Sequence, residues 1–145
     1  MTTFNKLIEK YKKKKFQVGI IGIGYVGLNL LLQFSKKKIK VIGFDQDKKK
    51  LHLLKNNISP ISYIKNSQIR SKRKFVNFET DYSKISNCDV IILCLPTPLK
   101  NKKPDLSHII KSMKKITRYF KKNQFLVLES TTYPGTTEEK IKPFI

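Results

Sequence analysis

Short apolar runs alternate along the chain with segments in which apolar residues recur at helical spacing. The first run contains Val18, Ile20, Ile21 and Ile23, and it is typical of a strand buried on both faces of a parallel sheet. Strands alternating with helices predict an α/β protein with a doubly wound parallel sheet. The predicted strands are the run around 18–23 and the runs 39–44, 75–78, 90–95 and Phe125–Leu128.

The helices are predicted from periodicity together with capping residues. An amphipathic helix over 3–15 has its apolar face formed by Phe4, Leu7, Ile8 and Tyr11. Further helices are predicted over Tyr25–Lys36, from a cap at Asp47 through Leu54, and over 61–71. Another is capped by Asp105, and its apolar face is formed by Ile109, Met113, Ile116 and Phe120. The last is opened by the capping box of Thr136 and Glu139.

The first strand ends in a glycine-rich turn, Gly22-x-Gly24-x-x-Gly27, and a helix follows at once. Gly22 allows the tight turn, Gly24 lets a pyrophosphate approach the backbone, and Gly27 lets the helix sit close to the strand. Free N–H groups at the helix start, at the positive end of its dipole, suit the phosphate charge. Strand, turn and helix together predict a Rossmann-like dinucleotide-binding unit.

Asp45 ends the second predicted strand, about twenty residues after the glycine turn, as this unit requires. Its carboxylate can accept hydrogen bonds from both hydroxyls of an adenosine ribose and would repel a 2′-phosphate. The sequence therefore favours NAD over NADP as the cofactor. The neighbouring Lys48, Lys49 and Lys50 weaken this preference without reversing it.

The net charge is +21, from 31 basic and 10 acidic residues. Such a charge can indicate a nucleic-acid partner. The basic residues are nearly all lysines scattered over every predicted polar face, however, and arginine stands only at positions 70, 73 and 118. Alanine is absent, which points to a compositional bias with lysine filling solvated positions. The charge therefore weighs little toward nucleic acid, although it would attract anionic nucleotides.

Cys88 and Cys94 have neither the spacing of a metal site nor that of a disulfide framework, so we expect no metal. No apolar run is long enough to span a membrane, and the first residues lack a signal peptide's apolar segment. A cytoplasmic protein without membrane association is expected.

Two further segments follow predicted strands and should reach the same crevice, because ligands of such sheets lie across the carboxyl ends of the strands. Pro96, Thr97 and Pro98 follow the fourth strand, where the prolines fix an extended backbone and Thr97 offers a hydroxyl. Glu129–Thr132 follows the fifth and is expected to direct three hydroxyls into the crevice. A rigid loop and ordinary side-chain bonding to the backbone are the simpler alternatives.

The segments GIGYVG, IGFDQD, SPI, CDVIILCLPTPL, PDLS and ESTTYPGTTEE occur in this order from about residue 16 to 145. In this arrangement the chain resembles the N-terminal NAD-binding domain of the UDP-glucose/GDP-mannose dehydrogenase family. The last segment, and the short helix before the first strand, most resemble the branch that oxidises UDP-N-acetylhexosamines, the UDP-N-acetylglucosamine and UDP-N-acetylmannosamine 6-dehydrogenases.

The resemblance implies oxidation of a sugar C6 alcohol to a carboxylate with two NAD in succession, through a cysteine thiohemiacetal and thioester. It also implies site residues. Asp45 would be the ribose acid and Lys50 a basic ribose contact, while Thr131 matches a threonine near the nicotinamide and water and is the one candidate catalytic residue. The implied cofactor-binding set is Gly22, Ile23, Gly24, Tyr25, Val26, Gly27, Asp45, Lys50, Pro96, Thr97 and Thr131.

The family's catalytic cysteine, lysine, asparagine and aspartate come from later segments, and neither Cys88 nor Cys94 matches the nucleophile. We therefore expect an N-terminal helix over 1–15 and an incomplete, C-terminally truncated NAD-binding domain over 16–145. The catalytic-cysteine and sugar-binding domains are expected to be absent from this chain, which alone should bind NAD weakly and turn nothing over. Full-length relatives are expected to form homodimers.

Three other interpretations stay open on the sequence. The chain could be a stand-alone NAD-binding or regulatory module, or a basic nucleic-acid-binding protein on the same scaffold. Another oxidoreductase, such as a β-hydroxyacid dehydrogenase, would leave ESTTYPGTTEE unexplained. Which UDP-sugar is oxidised is not decided by these residues.

Overall fold

The computed structural model describes residues 3–145, with side chains from Asn5 onward, and contains a five-stranded sheet and a separate two-stranded hairpin. In chain order the strands are β1 (Gln17–Ile21), β2 (Lys40–Phe44), β3 (Val76–Glu79), β4 (Val90–Leu93), β5 (Leu99–Lys100), β6 (Lys103–Pro104) and β7 (Phe125–Leu128). The pair β5–β6 is the hairpin, which the apolar pattern did not predict.

The large sheet has the order β3-β2-β1-β4-β7, and every neighbouring pair in it is parallel. Val18 of β1 lies opposite Val41 of β2 on one side and Val90 of β4 on the other. The chain builds the sheet outward from β1 in one direction and then crosses to β4. The predicted doubly wound parallel sheet is confirmed, and the reversal beside β1 is where such sheets bind ligands.

The helices flank this sheet. They are α1 (Thr3–Lys12), α2 (Tyr25–Lys36), α3 (Lys48–Lys55), α4 (Asn66–Arg70) and α5 (Ser107–Ile116), with 3₁₀ turns at Arg73–Phe75, Tyr82–Asn87, Thr117–Tyr119 and Lys142–Phe144 and a π-helical turn at Thr137–Ile141. The bounds of α2 are those predicted. At 12 residues α2 is the longest helix of residues 3–145, and none of these helices is long and apolar enough to cross a bilayer.

Two apolar layers enclose the sheet. On one face, Leu28 and Leu31 of α2 and Leu54 of α3 pack against alternate strand residues such as Ile20 and Phe78. On the other face, Ile109 and Met113 of α5 pack with the 3₁₀ turn at Tyr82–Asn87 against Ile21 and Phe44. Because both faces are covered, the central strands β1, β2 and β4 are nearly continuous apolar runs, as predicted, whereas the edge strand β3 alternates buried and exposed residues.

Two helix predictions were too long. The helix predicted over 3–15 ends at Lys12, and Lys14 has a left-handed φ of 54°. Phe4, which was placed on its apolar face, lies outside the described side chains. Of 61–71, only Asn66–Arg70 is helical, because the Ser59 hydroxyl bonds both the N–H and the C=O of Ile61 and so fixes a turn there.

The capping predictions have mixed outcomes. Asp47 accepts a hydrogen bond from the Lys50 N–H at 3.0 Å and caps α3 as predicted. Asp105 accepts from the Ser107 N–H at 2.9 Å, although Leu106 occupies the cap position. The capping box is wrong: the Thr136 hydroxyl donates to the Tyr133 carbonyl at 2.7 Å instead of capping the turn that follows. Phe120 lies beyond the end of α5, after the 3₁₀ turn at Thr117–Tyr119.

Helix α1 is attached to the amino-terminal edge of the sheet by polar and aromatic contacts. The Asp89 carboxylate, just before β4, accepts a hydrogen bond from the Lys10 ammonium and another from the Gln17 N–H at 2.9 Å. The Tyr11 ring packs 4.9 Å from Phe16 and 5.8 Å from Phe125. Asp89 therefore connects α1, β1 and β4 at the end of the sheet opposite the carboxyl ends of the strands.

Replacing Asp89 with asparagine should lower the free energy of unfolding by about 1 kcal/mol, because the charged acceptor of two hydrogen bonds becomes neutral. Urea denaturation measures the change. The matched control is Glu9→Gln, which breaks an exposed ion pair with Lys13 on α1 and should cost less than about 0.5 kcal/mol. Equal effects of the two substitutions would contradict the connecting role of Asp89.

Candidate functional site

A cleft of about 620 Å³ opens at the carboxyl ends of the parallel strands. The segments that follow β1, β2, β4 and β7 all reach it, and α5 closes one side. Its lining residues are Gly22, Gly24, Tyr25, Val26, Asp45, Gln46, Lys50, Tyr82, Cys94, Leu95, Pro96, Thr97, His108, Lys111, Ser112, Lys115, Glu129, Ser130 and Thr131.

The glycine turn between β1 and α2 allows three close approaches of different kinds. Gly22 has φ +94°, and a Cβ there would lie 2.5 Å from the Cys94 carbonyl oxygen. A Cβ at Gly27 would lie 1.9 Å from the Gly22 carbonyl oxygen, so α2 can sit against the turn only without one. At Gly24 a Cβ would meet no atom of the protein within 4 Å. The backbone of Gly24 is therefore open to a ligand in the cleft.

Gly24 is also the cap residue of α2 and provides no side chain to cap the first N–H groups of the helix. These groups, together with the helix dipole, form an anion-binding position at the cleft.

Asp45, directly after β2, is bound to the glycine turn. One carboxylate oxygen accepts from the Ile23 N–H at 3.0 Å and from the Lys50 ammonium at 2.7 Å, and the other accepts from the Asp47 N–H at 3.0 Å. Burial acts to raise the pKa of Asp45, but the bonds from Lys50, Asp47 and Ile23 outweigh it and lower the pKa below its usual value. Asp45 is therefore ionised at neutral pH and fixes the shape of the turn.

Because the pKa of Asp45 is lowered on folding, its ionised form stabilises the folded state above the unfolded pKa, near 3.8, and this contribution is lost as the pH falls through the folded pKa. Asp45→Asn should therefore cost about 1 kcal/mol near pH 7, and the difference from the wild type should shrink in acid. Urea midpoints of both proteins, measured from pH 7 down into acid, give this difference in stability. A difference that does not change with pH would contradict the lowered pKa of Asp45.

Hydrogen bonds connect the segments after β4 and β7. The Ser130 hydroxyl donates to the Leu95 carbonyl at 2.8 Å and accepts from the Leu95 N–H at 3.1 Å, while the Thr97 hydroxyl donates to the Thr131 carbonyl at 2.7 Å. Of the three hydroxyls expected to point into the crevice, that of Ser130 instead bonds the backbone of its neighbour strand. For Ser130, the alternative of side-chain bonding to the backbone is the one observed.

Residues 16–145 match the model of the UDP-glucose/GDP-mannose dehydrogenase family, NAD binding domain. This match covers most of the chain. The chain belongs to the UDP-glucose/GDP-mannose dehydrogenase family. NAD is therefore the cofactor of this domain, as the glycine turn and Asp45 predicted.

Relatives within this family agree with the match. UDP-N-acetyl-D-glucosamine 6-dehydrogenase of Salmonella typhi is 36% identical over 89% of this chain and 30% of its own length. UDP-N-acetyl-D-mannosamine dehydrogenase of Campylobacter jejuni is 32% identical over 87% of this chain and 31% of its own. The chain thus spans about a third of the length of the curated relatives it matches.

Solved structures of the family share the fold. The NDP-N-acetyl-D-galactosaminuronic acid dehydrogenase of Methanosarcina mazei Go1 superposes with a TM-score of 0.82 at 31% identity, covering 99% of this chain and 33% of its own. GDP-mannose dehydrogenase of Pseudomonas aeruginosa gives a TM-score of 0.82 at 28% identity, covering 88% of this chain and 31% of its own.

The cleft brings together most of the residues that the sequence assigned to NAD. Ile23 and Gly27 are buried and do not line the cleft: Ile23 acts on the site through its N–H bond to Asp45, and Gly27 through the packing of α2. The predicted residues that line the cleft are Gly22, Gly24, Tyr25, Val26, Asp45, Lys50, Pro96, Thr97 and Thr131.

Sequence reasoning missed the wall formed by α5. His108, Lys111, Ser112 and Lys115 recur at helical spacing along one side of the apolar face of α5, and this polar stripe faces the cleft. The stripe was visible in the sequence but looked like an ordinary solvated helix face. Tyr82 was missed as well, because it is almost completely buried and packs its ring 6.0 Å from Phe44.

The environments of Cys88 and Cys94 do not favour the nucleophilic thiolate form. Burial raises the pKa of the Cys94 thiol to about 11 and that of the Cys88 thiol to about 12. Thiolates are the reactive form, so both remain inert thiols at neutral pH. Cys94 contributes to the cleft wall, where its carbonyl packs against Gly22.

The residues of the cleft fit NAD. The space over Gly24 accepts a pyrophosphate that a side chain would exclude, and the start of α2 offers uncapped N–H groups. Asp45 is an ionised acceptor at the end of β2, and Lys50, Lys111 and Lys115 provide positive charge around an anionic ligand. When bound, NAD supplies hydride acceptance, and the described residues bind and orient it.

Proposed function

We propose that this chain is the NAD-binding part of a nucleotide-sugar 6-dehydrogenase, which oxidises the C6 alcohol of a UDP-N-acetylhexosamine to a carboxylate with two NAD. The observation that carries the proposal is the glycine turn bonded to Asp45 at the mouth of one cleft. The class of sugar rests on the relatives, which are named for UDP-N-acetyl-D-glucosamine and UDP-N-acetyl-D-mannosamine.

In this proposal the two halves of NAD use different parts of the cleft. The pyrophosphate lies over Gly24 at the start of α2, and the adenosine ribose bonds Asp45 with Lys50 beside it. Tyr25 and Val26, which are largely exposed, flank the pyrophosphate.

The nicotinamide half lies along Pro96, Thr97 and Thr131, at the ends of β4 and β7. Thr131 is then the residue nearest the reacting atoms, and its exposed side chain supports this role.

Covalent capture of the sugar aldehyde is assigned to residues other than Cys88 and Cys94, because both thiols have strongly raised pKa values. The UDP-sugar site is likewise assigned to the part of the enzyme that this chain does not span. Homodimerisation of the whole enzyme and a cytoplasmic location stay predictions.

Calorimetric titration of the 145-residue chain with NAD and NADP tests the cofactor assignment. We expect one NAD site and weaker binding of NADP, because Asp45 repels a 2′-phosphate. Equal affinity would contradict the role of Asp45. Absence of NAD binding, with RNA binding that persists at physiological salt, would instead favour a nucleic-acid function for the +21 charge.

The absorbance of NADH tests whether this chain alone carries out the oxidation. With NAD and UDP-N-acetylglucosamine or UDP-N-acetylmannosamine, the chain alone should form no NADH. NADH formation would show that catalysis is complete within these residues and would overturn the assignment of the covalent step elsewhere.

A further inference from the structure

The ends of β4 and β7 are held together by side chains after their backbone ladder stops. The last regular bond is that of the Glu129 N–H to the Leu93 carbonyl, at 3.0 Å. Beyond it, the Ser130 hydroxyl takes the place of a backbone group and bonds both the C=O and the N–H of Leu95, at 2.8 and 3.1 Å. One hydroxyl thus satisfies the donor and the acceptor of Leu95.

Leu95 is one of two residues through which the loop after β4 is bonded to the loop after β7. Pro96 and Pro98 have no N–H, so the backbone there has few groups with which to bond a neighbour. A second hydrogen bond between the two loops runs from the Thr97 hydroxyl to the Thr131 carbonyl, at 2.7 Å. Each loop therefore contributes one side chain that bonds the backbone of the other loop: Ser130 from the loop after β7 and Thr97 from the loop after β4.

We infer that Ser130 is a positioning residue for the nicotinamide half of the cofactor site: its hydroxyl fixes the loop after β4 against the loop after β7 and so sets the spacing of Pro96, Thr97 and Thr131. This inference rests on the proposed function, which places NAD in this cleft. The three positioned residues and Ser130 all line the cleft. The adenosine half depends less on Ser130, because the glycine turn and Asp45 are held by their own bond to each other.

Loss of the Ser130 hydroxyl should therefore weaken binding of the nicotinamide half of NAD more than binding of its adenosine half. Without the Ser130 hydroxyl, the Leu95 N–H and C=O lose their partner, and the loop after β4 loses one of its two side-chain bonds to the loop after β7. NAD should then bind about fivefold more weakly, which corresponds to about 1 kcal/mol. ADP, which would contact the glycine turn and Asp45 but not the nicotinamide end of the cleft, should bind the variant as tightly as it binds the wild type.

The experiment is calorimetric titration of the whole chain and its Ser130→Ala variant with NAD and with ADP. Ser130→Thr keeps the hydroxyl and should recover NAD binding. Ser86→Ala is the matched control, since the Ser86 hydroxyl makes one local bond to the Ser83 carbonyl at 2.8 Å, away from the cleft. It should change the affinity for neither ligand.

Equal loss of NAD and ADP binding in Ser130→Ala would overturn the inference in favour of a general structural role, and unchanged NAD binding would overturn it outright. If Ser130→Ala does not fold, Ser130→Cys, whose thiol is a weak donor and a weak acceptor, must show the same selective loss. A wild-type chain that binds neither NAD nor ADP would refute the proposed function itself, and the inference with it.

Discussion

The Gly27→Ala variant is expected to be less stable than the wild type by about 3 kcal/mol. A Cβ at this position would lie 1.9 Å from the Gly22 carbonyl oxygen and 3.3 Å from the Cys94 Cβ. The first contact is with backbone, so it cannot be relieved by turning a flexible side chain. Helix α2 must move away from the sheet, and the core formed by Leu28 and Leu31 moves with it.

Urea denaturation of the apo chain measures this loss, and circular dichroism reports whether the variant still folds. A Gly27→Ala midpoint equal to that of the wild type would contradict the close packing of α2 on the glycine turn. Any requirement for glycine at position 27 would then have to come from ligand binding alone.

The Gly24→Ala variant is expected to behave in the opposite way: nearly unchanged stability and at least about tenfold weaker binding of NAD. A Cβ there meets no protein atom within 4 Å, so the folded chain has room for it. The same space is where the proposed pyrophosphate approaches the start of α2. The cost in stability should stay below about 1 kcal/mol, mainly from placing alanine at a helix cap.

Calorimetry with NAD and urea denaturation of the apo chain separate the two effects. Asp89→Asn provides the converse control, since it weakens the opposite edge of the sheet and should leave NAD affinity unchanged. Wild-type affinity for NAD in Gly24→Ala would mean that the pyrophosphate does not lie over this residue.

Features that depend on burial along a continuous segment were predictable from the sequence. The apolar runs of β1 and β2 and the bounds of α2 follow from hydrophobic patterning, which records which faces are covered. Asp47 as a helix cap was also predictable, because its partner, the Lys50 N–H, lies only three residues away. Contacts within one helix or strand can therefore be predicted from the sequence.

Features that depend on contacts between distant segments were not. The sequence placed Asp45 at the ribose but could not reveal that its carboxylate also holds the Ile23 N–H and the Lys50 ammonium. Ser130 bonds a residue 35 positions away, and nothing in its neighbourhood indicates that partner. The Thr136 capping box failed for a different, local reason: the Thr136 hydroxyl donates to the Tyr133 carbonyl three residues earlier, which competes with capping.

The polar stripe of α5 shows a third limit. Periodicity identified the buried face of this helix correctly through Ile109, Met113 and Ile116. It could not distinguish a polar face toward solvent from one toward a ligand cleft, because both carry the same residue types. Only the position of α5 beside the ends of β2 and β4 makes Lys111 and Lys115 part of the site.

A crystal structure of this chain grown with NAD would show directly where the cofactor lies. We expect the pyrophosphate over Gly24, bonded by N–H groups at the start of α2, with the adenosine ribose against Asp45 and the nicotinamide beside Thr131. NAD bound elsewhere, for example on surface lysines with the cleft empty of it, would contradict the account.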